Sequence, residues 1–294
     1  MNGRSGGRAV RWTVLQALTR PAAVAVVLTA LPPDRLMAQT GFSSSSAVAQ
    51  REFEAKLLAV PDTVSVRRMS HDLTGVPHVA GRPEQAATRD YVIERMRSWG
   101  LDTWTREYTV YLPWPEAVAA WVIARAGATP RQLDLREPPV PGDPATLGPQ
   151  VPPFSAYSGD GDVSAEVIYV DYGLIDDYET LDSLGISVRG KIAIARYGRS
   201  FRGIKVREAE KRGAVGLMIY SDPQDDGYFR GDVYPRGPMR AAGGVQRGSV
   251  MNGNGDPATP GYASLPGARR VPEDSLPIPR IPVAALEQAT TALR

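Results

Sequence analysis

The stretch RGKIAIARYGRSFRGIKVREAEKRGAVGLMIYSDP, residues 189–223, decides the fold. Lys191 to Ala195 and Val215 to Tyr220 are short apolar runs of the kind that parallel strands show when both of their faces are covered. Between them Lys205 to Arg212 reads as a helix, and Gly213 supplies its stop. Strand, helix and strand in succession predict an α/β sheet. Just upstream, Glu166 to Tyr172 reads as another strand and Asp176 to Leu184 as a short helix. Downstream, residues 222–279 are rich in Gly and Pro and read as loop. Ile281-Pro282-Val283 then reads as a short strand, and Ala284 onward as a helix with Leu286, Ala289 and Leu293 on one face. No Gly, Pro or basic cluster stops that helix, the pattern expected of a chain cut short.

Toward the N-terminus the organisation changes. Arg4, Arg8 and Arg11 precede the apolar run AAVAVVLTAL (Ala22 to Leu31), and Leu36-Met37-Ala38-Gln39 follows it. A charged segment, an apolar segment and a small residue before the cut are the parts of a signal peptide covering residues 1–38. An uncleaved membrane anchor is the alternative, although the clean apolar run is short for a spanning helix. Residues 39–50 (QTGFSSSSAVAQ) read as a disordered Ser-rich linker. Helical patterns follow from Arg51, from Asp62 to Leu73 with Val64 and Met69 inward, and from Glu84 to Trp99 with Gly100 as the stop. Thr103 to Leu112 alternates as a strand, ended by Pro113-Trp114-Pro115. The Pro/Gly-dense segment 117–153 reads as a strand or two joined by long loops.

Composition excludes some chemistry. The chain has 294 residues, a formal net charge of +2, two histidines and no cysteine. The small charge argues against nucleic acid as a partner, and disulfides and thiolate catalysis are excluded. Only four of the 34 basic residues are Lys. His71 and His78 are seven apart, the second in a Gly/Pro loop, which fits no usual metal-ligand pattern. No GxSxG, phosphate loop or zinc-binding helix motif occurs.

Two separated blocks carry a resemblance to a known family. The first is LTGVPHVAGRPEQAATRDYVIERMRSWGLDTWTREYTVYLPWP, from Leu73 to Pro115. The second begins at VPPFSAYSGDG (Val151 to Gly161) and continues through ARYG, FRG, GAVGLMIYSDP, GGVQRG, GDPATPGY and IPRIPV. Together they resemble the glutamate carboxypeptidase II and transferrin receptor group of zinc peptidases. The resemblance implies an α/β fold in which a mixed-sheet protease-associated (PA) domain, about residues 116–283, is inserted after the opening helix and strand of a peptidase domain, residues 61–115. In that family the two zinc ions and the general base come from the resumed peptidase domain, so the chain as given is expected to be inactive alone, binding no zinc itself. The implied protein is the N-terminal portion of an exported zinc carboxypeptidase, periplasmic or extracellular. A stand-alone, non-catalytic PA-domain module that binds peptides or proteins remains the alternative.

Residue by residue, the resemblance implies that Arg202, in the FRG motif, reaches the active site and holds the C-terminal carboxylate of a peptide. A guanidinium in a strand-to-helix loop suits that task, because it offers two parallel donors to one carboxylate. Ser249 follows GGVQRG where glutamate-selective members place an Asn, so it is a second candidate contact and puts glutamate preference in doubt. Thr259 and Tyr262 occupy positions whose backbone carbonyls help bind a structural calcium in the family. The implied partners are a peptide with a free C-terminal carboxylate, the rest of the peptidase domain, and a second copy in a homodimer. Arg196 in ARYG reads equally as an anion contact or a structural ion-pair member. Asp222, Asp225 and Asp226 read as a solvated acidic turn.

Overall fold

A computed structural model describes residues 41–43, 45–125 and 127–287. The expected signal peptide and residues 288–294 lie outside that set. The chain divides into two units, Met1–Val66 and Arg67–Arg294. In the first, helix α1 runs Ser46–Leu58 and buries Ala47. It starts inside the expected linker, because Ser43 caps it: its hydroxyl accepts from Ser46 N–H at 3.2 Å. A hydroxyl that satisfies an orphan N–H favours a helix start over a disordered tract. Helix α2 (Thr63–Thr74) is opened by Asp62, whose carboxylate accepts from the N–H groups of Val64 and Ser65. Val64, expected to point inward, is exposed, while Met69 is half-buried.

The second unit is built on a four-stranded parallel sheet. Strands β4 (Val167–Tyr169), β5 (Ile192–Arg196), β6 (Gly216–Tyr220) and β8 (Val283–Leu286) lie in that order. Helices α4 (Ile175–Ser183) and α5 (Arg202–Lys211) make the first two crossovers. Ala193 and Ala195 on β5 are fully buried, as are Val206 and Ala209 on α5, and all four belong to one core cluster with Leu217, Ile219 and Val283. The small side chains on both elements permit their close approach. The expected strand–helix–strand order is therefore present, with α5 starting three residues earlier than the periodicity suggested.

The expected helix does not start at Ala284: Val283 to Leu286 is strand β8, in register with Leu217 to Tyr220, and the rest of that expected helix, from 288 on, lies outside the described residues. Its apolar residues Ala285 and Leu286 are buried by the sheet, and pairing with β6 overrides a pattern too short to decide its own conformation. Residues 221–282, between β6 and β8, are mostly loop, with a short helix α6 (Pro223–Asp226) and strand β7 (Gly248–Ser249). β7 pairs in parallel with β3 (Ser155–Ala156). Strands β1 (Trp121–Val122) and β2 (Arg131–Gln132) form an antiparallel pair. Parallel and antiparallel pairings together make the α/β unit mixed, as expected.

Helix α3 (Pro83–Ser98) has Pro83 at its first position and ends at Gly100, which takes φ +80° as a helix-stopping glycine does. The expected strand from Thr103 to Leu112 is not formed: no ladder partner lies beside it among the described residues. It is held instead by scattered bonds, among them Thr109 N–H on the Ser264 carbonyl, Tyr111 N–H on the Asp256 carboxylate and the Tyr157 hydroxyl on the Tyr111 carbonyl. Alternation alone makes no strand, because ladder hydrogen bonds come from elsewhere in the chain. Trp99, Trp104, Tyr108 and Trp114 are left exposed.

Candidate functional site

The site is built where β5 hands over to α5. The turn between them contains two residues with positive φ, Gly198 at +107° and Arg199 at +59°. Tyr197, buried, sends its hydroxyl to the Gln246 carbonyl at 2.8 Å and so ties this turn to the GGVQRG segment. Arg202 is the first residue of α5, and its guanidinium carbon lies 5.4 Å from the centroid of the Tyr197 ring. Burial pushes the Tyr197 hydroxyl above its ordinary pKa, opposed by the positive charge of Arg202 and Arg240.

Two glycines explain why the FRG and QRG motifs read as they do. A Cβ on Gly248 would lie 1.6 Å from Arg202 Nη1, so the guanidinium rests directly on the backbone beside Ser249. A Cβ on Gly203 would lie 2.4 Å from the Val250 carbonyl oxygen, which lets the first turn of α5 dock on residues 250–252. Asn252 completes that contact by donating to the Gly203 carbonyl at 2.8 Å. The fold thus brings Arg202 and Ser249 together across Gly248. The Ser249 hydroxyl accepts from Met251 N–H at 3.1 Å, which leaves its own proton to donate.

Arg202 is in no ion pair among the described residues, and its Nε is buried without an acceptor. Arg196 is the opposite case. Its guanidinium lies 2.8 Å from Asp171, 3.7 Å from Asp222 and 3.6 Å from Asp225, and stacks 4.1 Å from the Tyr172 ring centroid. The choice left open by the sequence is resolved: Arg196 is structurally paired. The acidic turn is corrected on the same grounds. Asp222 and Asp225 neutralise Arg196, and Asp226 pairs with Arg240 at 3.0 Å. A cation beside them makes a folded network from what composition alone reads as solvated charge.

Thr259 and Tyr262 lie in a turn organised by Asp256. The Asp256 carboxylate accepts from Tyr111 N–H, Ala258 N–H and the Ser264 hydroxyl, and Arg270 lies 3.4 Å away. Burial opposes its ionisation, yet those bonds and Arg270 hold its pKa below the usual carboxylate value. Thr259 is buried, its hydroxyl 2.5 Å from that of Ser264, and its carbonyl accepts from Tyr262 N–H. Among the described residues no group of three or more His, Asp or Glu side chains is placed to hold a metal ion. The described residues therefore offer no ligand set for the zinc pair, which the resemblance places in the resumed peptidase domain.

Three contributors were missed in the sequence. Arg247 reaches the Val151 and Pro152 carbonyls and pairs with Glu137 at 2.6 Å, which fixes the segment leading to Ser249. Its place inside GGVQRG was the available signal. For Asp256 the signal was its place inside GDPATPGY, whereas the burial of Lys205 depends on Tyr172, 33 residues away.

Residues 148–258 match the family model described as the PA domain. The chain is 36% identical over 221 residues to a probable glutamate carboxypeptidase, VP8, of Zea mays, covering 72% of this chain and 28% of that protein. It is 32% identical over 261 residues to the probable glutamate carboxypeptidase AMP1 of Arabidopsis thaliana, covering 88% and 34%. This chain belongs to the glutamate carboxypeptidase-like family and carries its PA domain. It spans about a third of the length of these curated relatives. Among solved structures, a zinc aminopeptidase from Bacillus subtilis is 16% identical with a TM-score of 0.38, covering 76% of this chain and 39% of that one.

Proposed function

We propose that this chain supplies the carboxylate-recognition part of an exported carboxypeptidase-like peptidase, with Arg202 gripping the free C-terminal carboxylate of a peptide. The observation that carries this reading is the contrast in pairing: Arg202 has no ion pair among the described residues, whereas the other half-buried arginines, Arg95, Arg196, Arg207, Arg212, Arg240, Arg247 and Arg270, each lie beside a carboxylate. A carboxylate would supply two acceptors in the plane the guanidinium offers. Ser249, across Gly248, donates the next hydrogen bond. Its hydroxyl reaches less far than an amide, so the proposal includes no preference for a glutamate side chain.

In this reading the exposed aromatic face of residues 99–114 packs against the rest of the peptidase domain, which would also bring the zinc ligands, the carboxylates for a calcium at the Thr259 and Tyr262 carbonyls, and the homodimer contacts. Export through the basic and apolar N-terminal segment belongs to the same proposal.

Titration of the chain with an N-acetylated peptide, as the free acid and as the C-terminal amide, tests it. The free acid binds and the amide does not, and Arg202→Ala loses the difference. Equal binding of acid and amide, or binding unchanged in Arg202→Ala, contradicts it.

A further inference from the structure

Lys205 is one of the largest fully buried side chains in the molecule and forms no ion pair among the described residues. Its ammonium donates to the Tyr172 carbonyl at 2.6 Å and to the Gly198 carbonyl at 2.9 Å. The charged groups that face it are Asp171 beyond β4, Asp177 on α4 and Arg196 on β5, and the Tyr172 ring centroid lies 5.5 Å from Nζ. Asp171 and Asp177 are otherwise occupied, the first by Arg196 and the second by the Leu174 N–H. A buried cation with only neutral acceptors is a stability cost, and such costs concentrate where geometry matters to function.

The geometry that this cation imposes is local. Gly198 and Lys205 bracket the turn and the first helical residues, so the Nζ–Gly198 bond closes a loop with Arg202 inside it. The same ammonium anchors that loop to Tyr172, whose ring is covered by Arg196 at 4.1 Å and Arg199 at 4.2 Å. Arg199 is held at φ +59°, a conformation that a non-glycine residue adopts at a cost of order 1 kcal/mol. Nothing else among the described hydrogen bonds links the side chains of α5 to Gly198 or to Tyr172.

We propose that Lys205 is a positioning residue for Arg202: its ammonium closes the 198–205 turn onto Gly198 and Tyr172 and fixes the direction in which the guanidinium is presented. This rests on the carboxylate-recognition reading for its consequence, but the clamp itself is independent of any ligand. Burial lowers the Lys205 pKa to about 8, against the raising effect of Asp177 and Asp171, so the clamp weakens as the solution becomes mildly alkaline.

The test follows the Arg202 guanidinium by carbon-detected NMR of its Cζ, assigned by its disappearance in Arg202→Ala, in the full chain. In the wild type that resonance shifts with an apparent midpoint near the Lys205 value. In Lys205→Met and Lys205→Gln it moves to the position of exposed arginines and no longer titrates, while the free-acid peptide binds about tenfold more weakly. An Arg202 resonance that is flat across the Lys205 titration, or unchanged in both variants, overturns the proposal. If both variants fail to fold, the wild-type titration still decides. If Arg202→Ala binds the peptide as well as the wild type, the recognition reading has failed, and the Arg202 resonance judges the clamp separately.

Discussion

The two ends of the β5–α5 connection carry the same side chain in opposite states. At the β5 end, Arg196 is surrounded by Asp171, Asp222 and Asp225 and lies on Tyr172. At the α5 end, Arg202 lies on the Gly248 backbone near Tyr197 with no carboxylate beside it. A guanidinium that hydrogen-bonds one aspartate and lies within ion-pair distance of two more holds loops together. One with no carboxylate beside it is arranged to receive an anion. The difference separates the architecture of this turn from its proposed chemistry, and each substitution below probes one side of it.

The largest effect is expected at Gly203. Gly203→Ala drives a Cβ onto the Val250 carbonyl, a backbone atom that cannot swing aside. Overpacking of this kind costs about 3 kcal/mol, readable as a lower urea midpoint with unchanged slope. Arg202→Ala comes next and acts on binding alone: about 2 kcal/mol of affinity for the free-acid peptide, the worth of hydrogen bonds to a charged group, with stability moved by less than about 0.5 kcal/mol. Arg196→Ala reverses that pattern. It leaves three clustered aspartates unneutralised and costs about 1–2 kcal/mol of stability, reduced from the fully buried case because the group is partly solvated.

Two smaller effects sharpen the contrast. Lys205 has a folded-state pKa below its unfolded value of 10.5, so the unfolded chain binds the extra proton between about pH 8 and 10.5. Stability therefore rises with pH through that window, and Lys205→Met lacks the rise, as denaturant titrations at several pH values would show. Ser249→Ala is expected to weaken the free-acid peptide by only a few-fold, since one neutral hydrogen bond is worth about 1 kcal/mol.

The centre of the sheet was legible because β5 and β6 are buried on both faces. Apolar runs at Lys191 to Ala195 and Val215 to Tyr220, split by a helix with a glycine stop, leave few alternatives. Gly100 was legible for the same local reason. What escaped depends on partners far along the chain. The 103–112 segment has strand-like alternation but no ladder beside it, and β8 looked helical until β6 claimed its backbone. At the site, the FRG and GGVQRG motifs pointed to Arg202 and Ser249, yet nothing in the sequence says that Gly248 is the floor beneath the guanidinium. Lys205 reads as an ordinary helix-surface lysine until the fold buries it. The ion pairs of Asp222, Asp225 and Asp226 were hidden similarly, because each needs an arginine delivered by another loop or strand.

Thermal unfolding of the wild type, Arg202→Ala and Arg196→Ala, each with and without a saturating free-acid peptide, compares the two arginines in one measurement. The account predicts that Arg202→Ala melts with the unliganded wild type and gains nothing from the peptide, while Arg196→Ala melts lower and is still raised by it. A peptide-induced rise that survives in Arg202→Ala would contradict the account.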